Sequence, residues 1–260
     1  MAMGFPARLF SVILRVSPGR IRNWMWKWWY QRLAKAHHRS DFRFMNYGYK
    51  DDKGPKLSRE DEPDRLFIQR YHMNIRDIDL QGREVLEVGS GRGGGASWIA
   101  KYCEPESLVG VDFSKEAVRL SRKWYSEQEN LSFIEGNAES LPINDSAFDV
   151  VYNVESSHCY GNMRAFAGEV NRVLRAGGHF CWTDFRDEET MQKVQSIFVD
   201  SGFKLVSKKE ITREVLAALD EINEAKIEQI RENVPKSIRK SFETFAGVRG
   251  TPVYEGFHSG

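Results

Sequence analysis

The sequence predicts an α/β protein built on a doubly wound, mainly parallel sheet. Three observations support this prediction: short apolar runs rich in β-branched residues, helical segments between them, and a glycine-rich turn after the first run. The first run and its turn occupy residues 83–95 and read REVLEVGSGRGGG. Gly89, Gly91 and Gly93 can adopt positive φ and bring backbone N–H groups close to a polar ligand. The turn therefore predicts a nucleotide-type site.

Two classes of cofactor are bound by such a turn. Gly89, Gly91 and Gly94 match the dinucleotide pattern G-x-G-x-x-G. Glu87 with the glycines at 89, 91 and 93 matches the E/D-x-G-x-G-x-G pattern of S-adenosylmethionine (SAM) enzymes, and Ser90 lies inside it. The spacing alone does not decide between a dinucleotide and SAM. We find no second phosphate-binding turn, which the nicotinamide half of a dinucleotide would need.

Further strands and helices follow in alternation. We predict a helix over residues 94–101 and strands over 107–112, 131–135, 148–154 and 179–185, with residues 174–178 closing the helix before the last of these strands. Residues 203–207 are expected to form a sixth strand and 211–234 a helix. Helical crossovers between these strands require a parallel sheet.

The strand ends supply the candidate cofactor residues. Asp112 ends the second strand about twenty residues past the turn, where a carboxylate can accept both ribose hydroxyl hydrogens of a nucleoside. Phe113 is predicted to cover the adenine face, and Asn137 and Ala138, after the third strand, to recognise the adenine edge. Asn153, near the end of the fourth strand, is also predicted to bind the cofactor.

The loop after the fourth strand supplies the catalytic candidates. His158 is the candidate general base, and Glu155 either orients it or acts in its place. The alternative is that His158 only makes hydrogen bonds within its loop. Cys159 is not taken as a nucleophile, because neighbouring side chains at a strand end point in opposite directions.

Composition bears on the partners, the metal content and the location of the protein. Lys plus Arg (38) nearly balances Asp plus Glu (37), so the charge balance gives no argument for nucleic acid binding. The three cysteines are widely spaced and predict no structural metal and a reducing, cytoplasmic location.

The N-terminal region differs from the rest of the chain. We divide the chain into a basic, Trp-rich helical segment over residues 1–60 and a cofactor-binding domain over 61–260. Within the first part, tryptophans and cations recur at helical spacing over residues 20–35. That pattern predicts either a lid over an apolar pocket or peripheral contact of residues 1–44 with a membrane surface. Residues 41–62 are expected to form a mobile connection.

Together, these motifs resemble the class I SAM-dependent methyltransferases, which have a Rossmann-like fold. The resemblance rests on the glycine turn, Asp112, the stretch from Gly136 to Glu139 and residues 148–151 and 174–178, in that order. Residues 93–97, 153–160 and 247–251 are similar to the phthiotriolone/phenolphthiotriolone dimycocerosate methyltransferase family of mycobacterial lipid biosynthesis.

The resemblance implies a function and one departure from the family fold. It implies SAM as cofactor, with Glu87 at the methionine amino group, and O-methylation of a hydroxyl on a hydrophobic lipid or polyketide-like molecule. The alternative is a non-catalytic SAM-binding or membrane-associated adaptor. Class I enzymes usually end in a sixth and a seventh strand, and this sequence shows no clear seventh strand.

Overall fold

The structure is a computed structural model that describes residues 43–234, 236 and 239–259. The predicted Trp-rich helix, within residues 1–42, lies outside the described residues. No helix in the described ranges has the length and apolar character needed to cross a bilayer.

Five parallel strands form the central sheet. They are β1 (Glu84–Val88), β2 (Ser107–Asp112), β3 (Leu131–Glu135), β4 (Phe148–Val154) and β5 (Leu174–Thr183), in the spatial order β3-β2-β1-β4-β5. The order reverses between β1 and β4, which is the point where open α/β sheets bind ligands. The predicted fold class is confirmed.

Eight α-helices surround the sheet in the described part of the chain. They are α1 (Arg65–Ile75), α2 (Gly94–Tyr102), α3 (Lys115–Trp124), α4 (Met163–Val173), α5 (Glu188–Asp200), α6 (Thr212–Asn233), α7 (Arg239–Phe245) and α8 (Pro252–Ser259). Ser114 caps α3, as its side chain accepts a hydrogen bond from the Ala117 N–H. Helices α2, α3 and α4 connect consecutive strands of the sheet.

Both faces of the sheet are covered by apolar side chains. Along β1, Val85 belongs to a core with residues of α1 and α2, while Leu86 and Val88 belong to a core with residues of α4. Successive residues of a strand point to opposite faces, so a strand buried on both faces is a continuous apolar run. Of the two acids in β1, Glu84 at its start is partly buried, whereas Glu87 is fully buried.

Two local predictions are wrong. Residues 203–207 form no strand, and among the described residues β5 is the last strand of the sheet. Leu205 and Val206 are both largely exposed, so this segment lacks the alternation of a half-buried strand. Residues 174–178 belong to β5 instead of ending α4, and an irregularity in the β4–β5 pairing accommodates them.

The segment before α1 is packed, in contrast to the mobile connection expected there. Tyr49 is 1% exposed, and its N–H donates to the Leu66 carbonyl at 2.9 Å. Asn46 Nδ2 donates to the Phe67 carbonyl at 3.2 Å. Residues of α6 and α8 pack together and against Tyr47, so the C-terminal helices lie beside the same segment.

Candidate functional site

A cavity lies at the carboxyl ends of the strands. It encloses about 1220 Å³ including its open mouth, and β1, β2, β4 and the loop after β3 all contribute to its wall. Eight of the predicted site residues line it: Gly89, Ser90, Gly91, Asp112, Phe113, Asn137, Ala138 and Glu155. Four others do not line it and lie behind or beside the wall: Glu87, Gly93, Asn153 and His158.

The glycine turn is held in a left-handed conformation. Gly89 has φ 79° and Gly91 has φ 54°, values that residues with a Cβ rarely adopt. At Gly89 a Cβ would also collide with the Ser156 hydroxyl, which lies over the turn. The Gly91 N–H donates to Asp112 Oδ2 at 2.8 Å, so the end of β2 fixes the turn.

Asp112 sits between the turn and the start of α3. Its second oxygen accepts the Ser114 N–H at 2.8 Å. Burial raises the pKa of Asp112 to about 6, although both N–H donors oppose the shift. Above that pH the carboxylate is ionised and presents its remaining lone pairs to the cavity.

The adenine side of the predicted site has one exposed ring and a small polar loop. Phe113 is 38% exposed at the cavity edge. Asn137 Oδ1 accepts the Glu139 N–H at 3.0 Å, which fixes the loop after β3, and Ala138 is buried there. A ring face and a fixed backbone edge can together recognise a planar base.

Glu87 lies beneath the turn among hydroxyl groups. The Tyr152 hydroxyl donates to Glu87 Oε2 at 3.0 Å, and Tyr71, which lines the cavity, is its neighbour on the other side. Burial raises the pKa of Glu87 to about 8, and the tyrosines only partly offset it. A cation bound near this carboxyl would favour its ionised form.

Gly93 is required by packing. A Cβ at this position would meet the rings of Phe133 and Tyr125. The close approach of these rings therefore explains a glycine at position 93 without any contact with the cavity.

Asn153 supports two hydroxyls of the cavity wall. Its Nδ2 donates to the Val88 carbonyl at 2.7 Å and lies 2.7 Å from Ser156 Oγ and 3.1 Å from the Tyr160 hydroxyl. Ser156 and Tyr160 line the cavity, so Asn153 positions groups in the wall from behind.

The Glu155 carboxylate already has two partners. Its Oε1 lies 2.8 Å from Arg70 Nε, and both side chains are buried. Its Oε2 accepts the Tyr47 N–H at 2.8 Å. Burial raises the pKa of Glu155 while the Arg70 charge opposes the shift. Glu155 thereby ties α1 and the 43–50 segment to the end of β4.

His158 is oriented by Asp184, which follows β5. His158 Nδ1 lies 2.9 Å from Asp184 Oδ1, and the His158 backbone N–H donates to Oδ2 at 2.9 Å. The Asp184 side chain is fully buried, and Ser157 and Arg186 also hold it. The orienting role expected of Glu155 is filled by a carboxylate that the sequence analysis did not select.

The electrostatics of this pair favour a charged imidazolium. Burial alone would lower the pKa of His158, but the adjacent Cys159 side chain and the Asp184 carboxylate outweigh it and raise that pKa well above its ordinary value. Burial would raise the pKa of Asp184, yet His158 and Arg186 hold it well below its usual range. The Asp184 contact engages Nδ1, and the Cys159 side chain is a further hydrogen-bond partner of the imidazole.

The His158 and Cys159 side chains are in contact, so the prediction that they point in opposite directions is wrong. Residues Ser157–Cys159 form a short 3-10 helix and not the end of a strand, so neighbouring side chains can meet there. Cys159 lines the cavity. Its thiol therefore brings the histidine pair to the cavity wall.

Sequence reasoning missed Asp184 and Arg92. Asp184 follows the strand next to β4 in the sheet, so the rule that parallel strands end at one edge would have placed it beside the loop carrying His158. Arg92 lies inside the glycine motif, is 5% exposed and lines the cavity. Among the described residues, no group of three His, Cys, Asp or Glu side chains could hold a metal ion.

Comparisons with known proteins agree with this geometry. A family model described as a methyltransferase domain matches residues 86–182. The phthiotriol/phenolphthiotriol dimycocerosates methyltransferase of Mycobacterium tuberculosis is 33% identical over 249 residues, 95% of this chain and 92% of the relative. A fatty-acid O-methyltransferase of Mycolicibacterium smegmatis is 35% identical over 222 residues, 85% of this chain and 81% of the relative.

Solved structures share the fold. A SAM-dependent methyltransferase from Aquifex aeolicus superposes with a TM-score of 0.51 at 20% identity, covering 60% of this chain and 94% of that one. At this identity the likeness concerns the fold alone.

Proposed function

Because this chain belongs to the phthiotriol/phenolphthiotriol dimycocerosates methyltransferase family of SAM-dependent methyltransferases, we propose that it methylates a hydroxyl oxygen of a hydrophobic, lipid-like molecule. One observation carries the choice of a hydroxyl. His158 is paired with Asp184 through Nδ1, and in this proposal its Nε2 receives the proton. A hydroxyl needs a base when it is alkylated, whereas a fatty-acid carboxylate is already ionised at neutral pH.

The cavity residues fit the cofactor. Ser90 Oγ is buried in the cavity wall with no hydrogen-bond partner among the described residues, and a buried hydroxyl of this kind requires one. The left-handed glycine turn provides the close backbone approach that such a ligand needs. When bound, SAM supplies a methyl group made electrophilic by its sulfonium.

We assign each part of the cofactor to residues of the chain. Asp112 would bind the ribose hydroxyls, Phe113 the adenine face, and Asn137 with Ala138 the adenine edge. At the amino-acid end, Glu87 would neutralise the ammonium group and Arg92 the carboxylate, as charged groups of opposite sign.

His158 acts in this proposal as the general base. Asp184 holds the ring in one orientation and strengthens it as a base by raising its pKa. The same shift keeps the imidazole protonated at neutral pH, so we expect the rate to rise with pH above the ordinary histidine range. The aromatic rings of Phe185, Tyr47 and Phe257 extend from the imidazole, beginning 4.4 Å away at Phe185. In this proposal an apolar acceptor packs against these rings.

The test compares two acceptors of equal chain length. A fatty alcohol and a fatty acid are methylated by the wild type and by His158→Ala, with affinity for S-adenosylhomocysteine (SAH) measured by calorimetry. We expect the variant to lose at least about 100-fold in rate with the alcohol, within the usual contribution of a general base. SAH affinity should stay within about twofold. Equal loss with both acceptors, or a parallel loss of SAH affinity, would contradict the assignment of the base.

Asp184→Asn separates orientation from proton transfer. Loss of the carboxylate charge removes one cause of the raised pKa of His158, so the rise of the methylation rate with pH should move to lower pH. The maximal rate should fall, because the imidazole is then a weaker base. A pH profile that keeps its midpoint would mean that Asp184 does not set the basicity of His158.

The N-terminal division remains part of the proposal. We assign residues 1–60 to a lid or membrane-surface segment and residues 61–260 to the catalytic domain. Arg43, Met45 and Asn46, which belong to the first of these parts, line the cavity. The three free cysteines support a cytoplasmic location. Peripheral contact of the N-terminal segment with a membrane is a separate part of the proposal. Vesicle flotation of the full chain and of a chain lacking residues 1–42 tests the membrane role.

A further inference from the structure

The loop after α5 exposes apolar side chains to an unusual degree. Val206 is 84% exposed and Leu205 is 52% exposed, and Val199, near the end of α5, is 55% exposed. Residues 204–209, here called the 204–209 loop, are all exposed and have no regular secondary structure. Adjacent apolar side chains that both face solvent are typical of an interaction surface.

The base of this loop is fixed. The Phe203 ring packs 5.3 Å from Phe180 and 6.2 Å from Phe198, measured between centroids. At the other end, Lys209 Nζ donates to the Tyr49 hydroxyl at 2.6 Å and pairs with Glu214 at 3.2 Å. The loop therefore holds Leu205 and Val206 away from the core while both of its ends are anchored.

Charges around the apolar pair are positive. Lys204 and Lys208 are exposed on either side of Leu205 and Val206. The nearest acids in sequence are engaged elsewhere, because Asp200 pairs with Arg164 at 3.0 Å and Glu210 accepts the Thr212 N–H at 2.6 Å. An apolar tip flanked by cations complements an anionic lipid surface, where acyl chains lie beneath phosphate groups.

We propose that the 204–209 loop, with Val199, docks on an anionic phospholipid surface. Leu205 and Val206 enter the boundary between headgroups and acyl chains, and Lys204 and Lys208 contact the phosphates. This surface is separate from residues 1–44 in sequence. This docking rests on the proposed function in one respect, because a lipid-like acceptor would be taken up from a membrane.

The test uses the full chain and vesicles of phosphatidylcholine, with and without phosphatidylglycerol. The double variant Leu205→Ser with Val206→Ser should bind the anionic vesicles about tenfold more weakly than the wild type, or about 1.4 kcal/mol. Lys204→Glu with Lys208→Glu should lose about tenfold or more on anionic vesicles and nothing on neutral ones, since the lysines are attracted only to a negatively charged surface. Lys123→Glu, an exposed charge reversal on α3, is the matched control and should change binding less than the loop variants.

Hydrogen exchange locates the contact. On anionic vesicles, backbone amides of residues 204–209 should exchange more slowly than in the free protein. Unchanged exchange there, or wild-type vesicle binding by both double variants, would overturn the proposal. A concentration-dependent dimer that the Leu205→Ser with Val206→Ser variant abolishes would assign the surface to a second copy and overturn it as well. The assay contains neither cofactor nor acceptor, so its outcome is independent of the methylation chemistry.

Discussion

Replacement of Glu87 by glutamine should stabilise the protein and weaken cofactor binding. Glu87 is fully buried, and burial raises its pKa from 4.5 to about 8. At about 1.4 kcal/mol per pKa unit, ionising this group costs about 5 kcal/mol more in the folded protein than in the unfolded chain. The folded state binds the proton more tightly, so the Glu87 contribution to stability falls as pH rises from 4.5 to 8 and is constant above it.

Glu87→Gln removes that dependence because the amide does not ionise. Between pH 5.5 and 8.5, the free energy of unfolding of the variant should gain about 3 kcal/mol relative to wild type. This corresponds to a difference in Tm that grows by about 6–12 °C across the range. Thermal unfolding by circular dichroism at both pH values measures it, with the exposed Glu129→Gln as control.

The same variant tests the role of Glu87 toward the cofactor. If Glu87 pairs with the ammonium group, SAH should raise the Tm of the wild type more than that of the variant. A difference in Tm between variant and wild type that is equal at pH 5.5 and 8.5 would refute the argument that Glu87 is a buried, protonated acid. Equal stabilisation by SAH would refute its pairing with the ammonium.

Three further predictions concern cofactor affinity, each measured by calorimetry. Gly89→Ala should abolish SAH binding, because the added Cβ meets the Ser156 hydroxyl and φ is 79°; binding near the wild-type level would mean that the turn relaxes. Asp112→Asn should weaken SAH binding about tenfold or more. In the wild type, protonation of Asp112 should lower SAH affinity below about pH 6, and the variant should lack this pH dependence. Arg92→Met should weaken SAH about 30-fold but leave decarboxylated SAH within about twofold; equal losses would exclude carboxylate recognition by Arg92.

The end of the cavity that the glycine turn and β2 form was largely predictable from sequence. Gly89, Gly91 and Asp112 occur within short spans whose spacing is set by strand length and by the turn. A parallel sheet brings the ends of its strands to one edge, so a residue's place at the end of a strand also fixes its place in the cavity. Local sequence was therefore enough for these residues.

The role of Gly93 shows the limit of motif reading. Its spacing matches the motif, yet its glycine is required by contacts with Phe133 and Tyr125 from other elements. Contacts between elements distant in sequence leave no periodic signal, so the pattern could not separate packing from binding.

Tertiary structure decided which carboxylate contacts His158. Glu155 is three residues from His158 but is held by Arg70 of α1, while Asp184, 26 residues away, holds the imidazole. Which acid reaches the histidine depends on the pairing of β4 with β5 and on the buried arginine, and both are long-range.

The sequence by itself determined five strands of the sheet, the glycine turn and the position of Asp112 at the end of β2, because strand periodicity and turn chemistry are local properties of the chain. Only the tertiary structure decided that residues 203–207 remain outside the sheet, that Asp184 completes the pair with His158, and that Gly93 lies against the rings of Phe133 and Tyr125. Each of these outcomes depends on which side chains meet across long sequence separations, and desolvation and charge then fix their chemistry.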